Sequence, residues 1–189
     1  MDMPAATNRF YTKHEVLAFP EDGNRYELVY GELLVTPSPR VRHQDVVLAI
    51  ASSLRSFAKS HRVGHVMISP ADITWGRPDD VLVQPDVFVI APEDAGIREW
   101  DQFTHFSLFV EVVSPSSARY DRFTKRRLYQ EMGVPLYWMI DPANRRAEIW
   151  TPEATAPVYE TERLVWQPAG VSEAWTMGLE ELFAEGEEG

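Results

Sequence analysis

Cysteine is absent from the 189-residue chain, which excludes disulfides, thiolate nucleophiles, zinc ribbons and Cys-ligated clusters. No apolar run approaches the ~18 residues that a membrane span needs. The opening MDMPAATNRF lacks the basic start and apolar stretch of a secretory signal, so a cytoplasmic protein with no membrane partner is expected. A Gly-rich phosphate loop, an internal repeat, a helix-turn-helix and a zinc finger are all missing, and with them any argument for direct base readout. Cations are in the minority, 18 against 29 acids, for a net charge of -11 that argues against broad nucleic-acid binding. What is present is ordinary globular composition, 44% hydrophobic and 12% aromatic, enough for one core. At roughly 150 residues per domain, residues 1–189 are expected to form one domain. Its core would cover residues 12–151, with an acidic extension over 152–189.

The charge is uneven. Residues 153 to 189 hold nine acids against the single base Arg163. Positions 119 to 127 hold Arg119, Arg122, Lys125, Arg126 and Arg127 against Asp121 alone. Such a patch is either a solvated helix face or a phosphate contact.

Thr12-Lys13-His14-Glu15 fits a capping box for a short first helix. Arg25 to Val35 reads as two strands joined at Tyr30-Gly31. From Val41 to His61 apolar residues recur at three and four, the clearest helix in the chain. Val63 to Ile68, Val81 to Ile90 and Leu108 to Val113 read as strands, Arg119 to Met132 as a second helix, and Leu136 to Ile140 as a further strand with Arg146 to Thr151 as its hairpin partner. The tail should add a short hairpin and a terminal helix, with Glu185 to Gly189 frayed. The pattern predicts an α/β domain with a mixed central sheet covered by two long helices.

Two acids interrupt apolar strand segments: Asp86 after Gln84-Pro85, and Glu111 in Leu108-Phe109-Val110-Glu111-Val112-Val113. Carboxylates are rarely buried unless paired or metal-bound. On neighbouring strands about 4.8 Å apart both acids could converge on one cation, and hard oxygen donors suit magnesium or manganese. At 100° per residue Lys125 falls in the apolar arc of the second helix with Asp121 one turn before it, while Arg119, Arg122 and Arg126 fall on the outer face. A lysine aimed at two carboxylates can steady an attacking hydroxide and charge developing on phosphorus. Each piece also has a plainer reading. Asp86 could start a strand, Glu111 could be ion-paired, and Lys125 could run along the helix edge into water. Ser114 to Ser117 has no nucleophile elbow and reads as a loop before a helix. His14, His61, His65 and His105 show no ligand spacing.

The string Arg25-Tyr26-Glu27-Leu28, Gly31-Glu32-Leu33, Pro39 to His43, Gln84-Pro85-Asp86, Val110 to Ser117, Tyr120-Asp121, Lys125, Tyr129 and Gly133 to Trp138 with Asp141-Pro142 resembles the Uma-type family. That bacterial group lies within the restriction-endonuclease-like PD-(D/E)XK nuclease superfamily. The resemblance implies a restriction-endonuclease-like sheet with an N-terminal β-hairpin. It also implies a divalent metal, Mg2+ or Mn2+, on Asp86, Glu111 and the backbone carbonyl of Val112. The lysine expected two residues after the glutamate is Val113 here, and Lys125 matches a lysine moved to the following helix. Glu27 or Glu32 could add an acid, and His43 and Gln44 could touch substrate. Arg119, Arg122 and Arg126 are candidate phosphate contacts. The resemblance thus implies a metal-dependent endonuclease acting on DNA, expected as a homodimer or higher homo-oligomer. The alternative is a nucleic-acid- or protein-binding module that keeps the fold without useful catalysis.

Overall fold

Tyr30 and Gly31 take positive φ values of 52° and 80°, the pair of left-handed residues that a two-residue type I′ hairpin requires. They join β1 (Arg25–Val29) to β2 (Glu32–Thr36) in the expected register, Tyr26 opposite Val35 and Leu28 opposite Leu33. The computed structural model describes residues 9–77 and 79–184. The expected fraying of Glu185 to Gly189 lies outside them. Helix α1 (Lys13–Leu17) precedes the hairpin with its capping box formed: Glu15 N–H donates to the Thr12 hydroxyl, and Thr12 N–H to the Glu15 carboxylate.

Helix α2 (Val41–His61) has the expected bounds. It buries Val46, Val47, Ile50, Ala51, Leu54 and Ala58, the three-and-four spacing that keeps one stripe on the sheet. β3 (His65–Ile68) follows. The segment predicted as one strand over Val81–Ile90 is divided at Pro85, which cannot donate to a ladder. β4 (Val81–Leu82) joins β1 in a three-stranded sheet of order β2-β1-β4, whereas β5 (Val87–Ile90) enters the six-stranded central sheet.

β6 (Phe106–Val112) is the centre of that sheet and pairs antiparallel with β5, Val87 opposite Val110. The connection from β6 to β7 (Tyr137–Asp141) runs through a π-helical segment, Tyr120–Lys125, and α3 (Arg126–Glu131). The predicted helix over Arg119–Met132 is therefore two elements. β6 and β7 are parallel, Glu111 opposite Met139, so a crossover is obligatory, and it carries Asp121 and Lys125 over the sheet. β8 (Arg146–Trp150) and β9 (Val158–Glu160) complete the order β3-β5-β6-β7-β8-β9. β10 (Arg163–Trp166) pairs with β11 (Trp175–Gly178), and α4 (Leu179–Ala184) ends the described chain.

Alternation along β6 sorts the core into two layers. Val110 and Val112 face α2 together with Val87, Val89, Trp138 and the tail residues Trp166, Trp175 and Phe183. Phe109 and Val113 belong to the other layer with Phe88, Tyr129 and Tyr137, and Glu111 shares their phase. A carboxylate thus sits on an aromatic face where it must be paired. Among the described residues no helix is long and apolar enough to cross a membrane.

Candidate active site

Arg25 and Glu27 alternate with Tyr26 along β1 and so point the same way. Glu27 is buried, and its Oε2 lies 2.8 Å from Lys125 Nζ. From the crossover, Lys125 also reaches Glu111 Oε1 at 3.0 Å and Asp121 Oδ1 at 3.6 Å. The Tyr129 hydroxyl, one turn further along the helix, donates to the same Glu111 oxygen at 2.9 Å. Gln84 N–H donates to Glu27 Oε1 at 2.7 Å, which fixes that carboxylate from the segment between β4 and β5.

Asp86 stands beside this group with a separate set of donors. Its Oδ1 accepts from Arg25 Nη1 at 2.8 Å; its Oδ2 accepts from Val112 N–H at 2.8 Å and lies 3.0 Å from His43 Nε2. Glu27, Asp86, Glu111 and Asp121 are each 3% exposed or less, and all four line one cavity of about 460 Å³ with Arg25, His43, Val112 and Lys125. The other walls are the Pro37 to Arg42 entry to α2, the Val113 to Ser117 loop after β6, and Pro142-Ala143.

Four carboxylates face two permanent cations, and the titration of the group follows from that imbalance. Burial disfavours the ionised form of Asp86, but the His43 hydrogen bond, the Arg25 charge and the Val112 N–H overcome it and hold this carboxyl well below the usual range. Burial pushes Glu111 well above its ordinary value; Lys125 opposes that rise, and the Asp86, Asp121 and Glu27 charges add to it. Burial also pushes Asp121 up to about 6 against the pull of Lys125. Lys125 is the converse case: burial alone would strip its proton, but Glu111, Glu27 and Asp121 hold it firmly charged.

The residues suit a divalent cation by donor chemistry. Among the described residues neither Asp121 oxygen accepts a hydrogen bond, and both donors to Glu111 fall on Oε1. Among the described residues no three His, Cys, Asp or Glu side chains gather as a ready-made metal cage. Hard oxygens in small number fit an ion that keeps several waters, the habit of magnesium.

The structure brings Asp86, Glu111, Lys125, Val112, Glu27, His43 and Asp121 together. Between the two acids left open on the hairpin it places Glu27 in the cavity, whereas Glu32 is exposed beside the turn, opposite Val29. Gln44 is exposed on α2 and does not line the cavity. Arg122 lies away from it, bonded to Asp141 at 2.7 Å and Glu148 at 2.8 Å. Arg126 donates to Gln130 and stacks over Trp150. Arg119 is exposed. Arg25 and Tyr129 belong to the string that carries the family resemblance, but the sequence alone assigned them no role in the site. The signal for Arg25 was its strand phase with Glu27, and for Tyr129 its spacing of four from Lys125.

A model of the Uma2 family, described as "Putative restriction endonuclease", matches residues 14–183. Among solved structures, the chain resembles a putative nuclease belonging to DUF820 from Anabaena variabilis ATCC 29413, with a TM-score of 0.72 at 22% identity over 92% of this chain and 97% of that one. That likeness is one of fold: a nuclease-like mixed sheet with flanking helices. No curated protein matches the chain. With the family model covering nearly the whole described sequence, the chain belongs to the Uma2 family of restriction-endonuclease-like proteins.

Proposed function

We propose that the cavity is the active site of a divalent-metal-dependent endonuclease that hydrolyses phosphodiester bonds of DNA. The observation that carries this reading is the surplus of buried carboxylate around Lys125: four acids, two of them without a full set of donors, stand against Lys125 and Arg25. An isolated protein interior does not tolerate such a surplus without a cation or bound protons.

Asp86 and Glu111, with the Val112 carbonyl, would hold Mg2+ or Mn2+. When bound, such an ion supplies a water of lowered pKa and polarises the phosphoryl oxygen. The rest falls to the chain's own groups. Arg25, His43 and the Val112 N–H keep Asp86 ionised and oriented, so its remaining lone pairs are directed by the fold. Tyr129 fixes Glu111 through Oε1, leaving Oε2 for the site. Lys125, held by Glu27 and Asp121, presents an ammonium that offsets negative charge growing on phosphorus. Nucleases that cut both strands of a duplex commonly present two such cavities, so the reading includes a homodimer or higher homo-oligomer.

Calorimetric titration with Mn2+ tests the metal. Wild type should bind, and Asp86→Ala and Glu111→Ala should each lose most of the affinity. Equal heats in all three proteins would leave the fold as a binding module without this chemistry.

A further inference from the structure

The basic run at 119–127 is largely spent inside the protein, since Lys125 serves the carboxylates, and Arg122 and Arg126 are tied to β7, β8 and α3. A second basic cluster is not. From Arg55 to His65 the sequence holds Arg55, Lys59 and Arg62 and no acid, with His65 at its end, in a chain whose net charge is -11. At the C-terminal end of α2 these residues meet a groove of about 550 Å³. Arg55, Lys59, Arg62 and His65 line it, all exposed, over a floor that includes Ala58 and Val66. No acid lines the groove among the described residues. None of the four cationic or histidine side chains has an ion pair or side-chain hydrogen bond there.

Helix-end electrostatics account for only part of this. A cation in the last turn of α2 gains from the carbonyl end of the helix, which explains Lys59. Arg55 lies nearly two turns from that end and His65 is on β3, yet both converge on the same groove. The loop that closes it is sterically fixed. Gly64 has φ +126°, and a Cβ there would stand 2.3 Å from the Ile90 carbonyl oxygen, so Arg62 and His65 are presented by a turn that only glycine permits.

We propose that this groove seats the phosphate backbone of duplex DNA, at a second contact remote from the carboxylate cavity. The ligand class rests on the nuclease reading. The spacing suits one duplex engaging both places: α2 is 21 residues long, and at 1.5 Å per residue its ends stand about 30 Å apart, about nine base pairs of rise. Arg40 marks the cavity end of that line, and Arg55, Lys59 and Arg62 the groove end. The exposed positions between them, Gln44, Leu48 and Ser52, are uncharged apart from Asp45.

The test is fluorescence anisotropy in EDTA with labelled duplexes of about 24 and about 8 base pairs, the shorter unable to span the two places. The proteins are wild type and the exposed-surface variant Arg55→Ser/Lys59→Ser/Arg62→Ser. For the longer duplex the triple variant should bind at least about tenfold more weakly, and the slope of log affinity against log salt should fall by about two to three. The shorter duplex can occupy the groove or the cavity but not both, so the triple variant should lose less affinity for it than for the longer one. Equal affinity and equal slope for the longer duplex, or no duplex binding by wild type, would overturn the groove. Wild type that binds through these residues but cuts nothing would sustain the groove and reject the nuclease. Wild type that cuts, with a triple variant that binds as well as it does, would do the reverse.

Discussion

Lys125 Nζ lies 3.0 Å from Glu111 Oε1, although the two residues come from different elements, the crossover and the central strand β6. The pair is fully buried, so it is held by geometry rather than by solvent, and Glu27 and Asp121 close around the same ammonium. Breaking a buried pair by removing one partner leaves uncompensated charge. Lys125→Met should therefore cost about 3–5 kcal/mol of unfolding free energy in EDTA at neutral pH. Lys125→Met/Glu111→Gln should lose less than the sum of the two single changes, and urea unfolding of all four proteins measures that coupling. Additive losses would mean that the two groups do not act on each other.

Val113 stands two residues after Glu111, where the resemblance to the PD-(D/E)XK pattern implies a lysine, and it shares strand phase and cavity with Glu111. An ammonium returned from the strand should then replace part of the one lost from the helix. Lys125→Ala/Val113→Lys is expected to regain about tenfold in cleavage rate over Lys125→Ala, measured on the same plasmid in Mn2+. No gain would mean that the direction from which the lysine approaches is itself essential.

Arg122 and Arg119 separate structural cations from free ones. Arg122 neutralises the buried Asp141 and Glu148, so Arg122→Ala should cost about 2 kcal/mol or more by leaving two buried carboxylates short of a donor. Arg119→Ala should stay within about 0.5 kcal/mol of wild type, as exposed changes usually do. Chemical unfolding distinguishes the two.

Asp94 gives a pH dependence away from the cavity. Burial opposes its charge, but the His105 and Thr104 N–H groups at 2.8 and 2.7 Å and the His105 ring hold its carboxyl below the usual value. A depressed folded pKa contributes stability that is present above the unfolded value, about 3.9, and is lost as pH falls through the folded one. Asp94→Ala should thus cost about 1–3 kcal/mol at pH 7. The gap to wild type should close as the pH is lowered below about 4. A gap that is constant with pH would mean that the carboxylate charge contributes nothing.

Much of this architecture is legible in the sequence because the signals are periodic. The three-and-four stripe gives α2 its bounds, and Tyr30-Gly31 gives the hairpin. Asp86 and Glu111 stand out as charges in apolar strand segments, and Lys125 as the basic residue that the helical wheel turns inward. What is not legible depends on tertiary pairing. Pro85 sends Val81-Leu82 to one sheet and Val87–Ile90 to another, and nothing local says which strand each will meet. A helical wheel places Arg122 and Arg126 outside, but it cannot know that Asp141, Glu148 and Trp150 lie beside them. The choice of Glu27 over Glu32 likewise needs the β1–β4 pairing that fixes which face of the hairpin meets the crossover.

The measurement that bears most directly on the account is cleavage of supercoiled plasmid and labelled single-stranded DNA in Mn2+ and Mg2+, comparing wild type with Glu111→Ala and Lys125→Ala. The carboxylate–lysine site predicts metal-dependent nicking by wild type that both variants lose by about 10²-fold or more. Nicking that survives in Glu111→Ala, or a wild type that leaves both substrates intact in either metal, would contradict it.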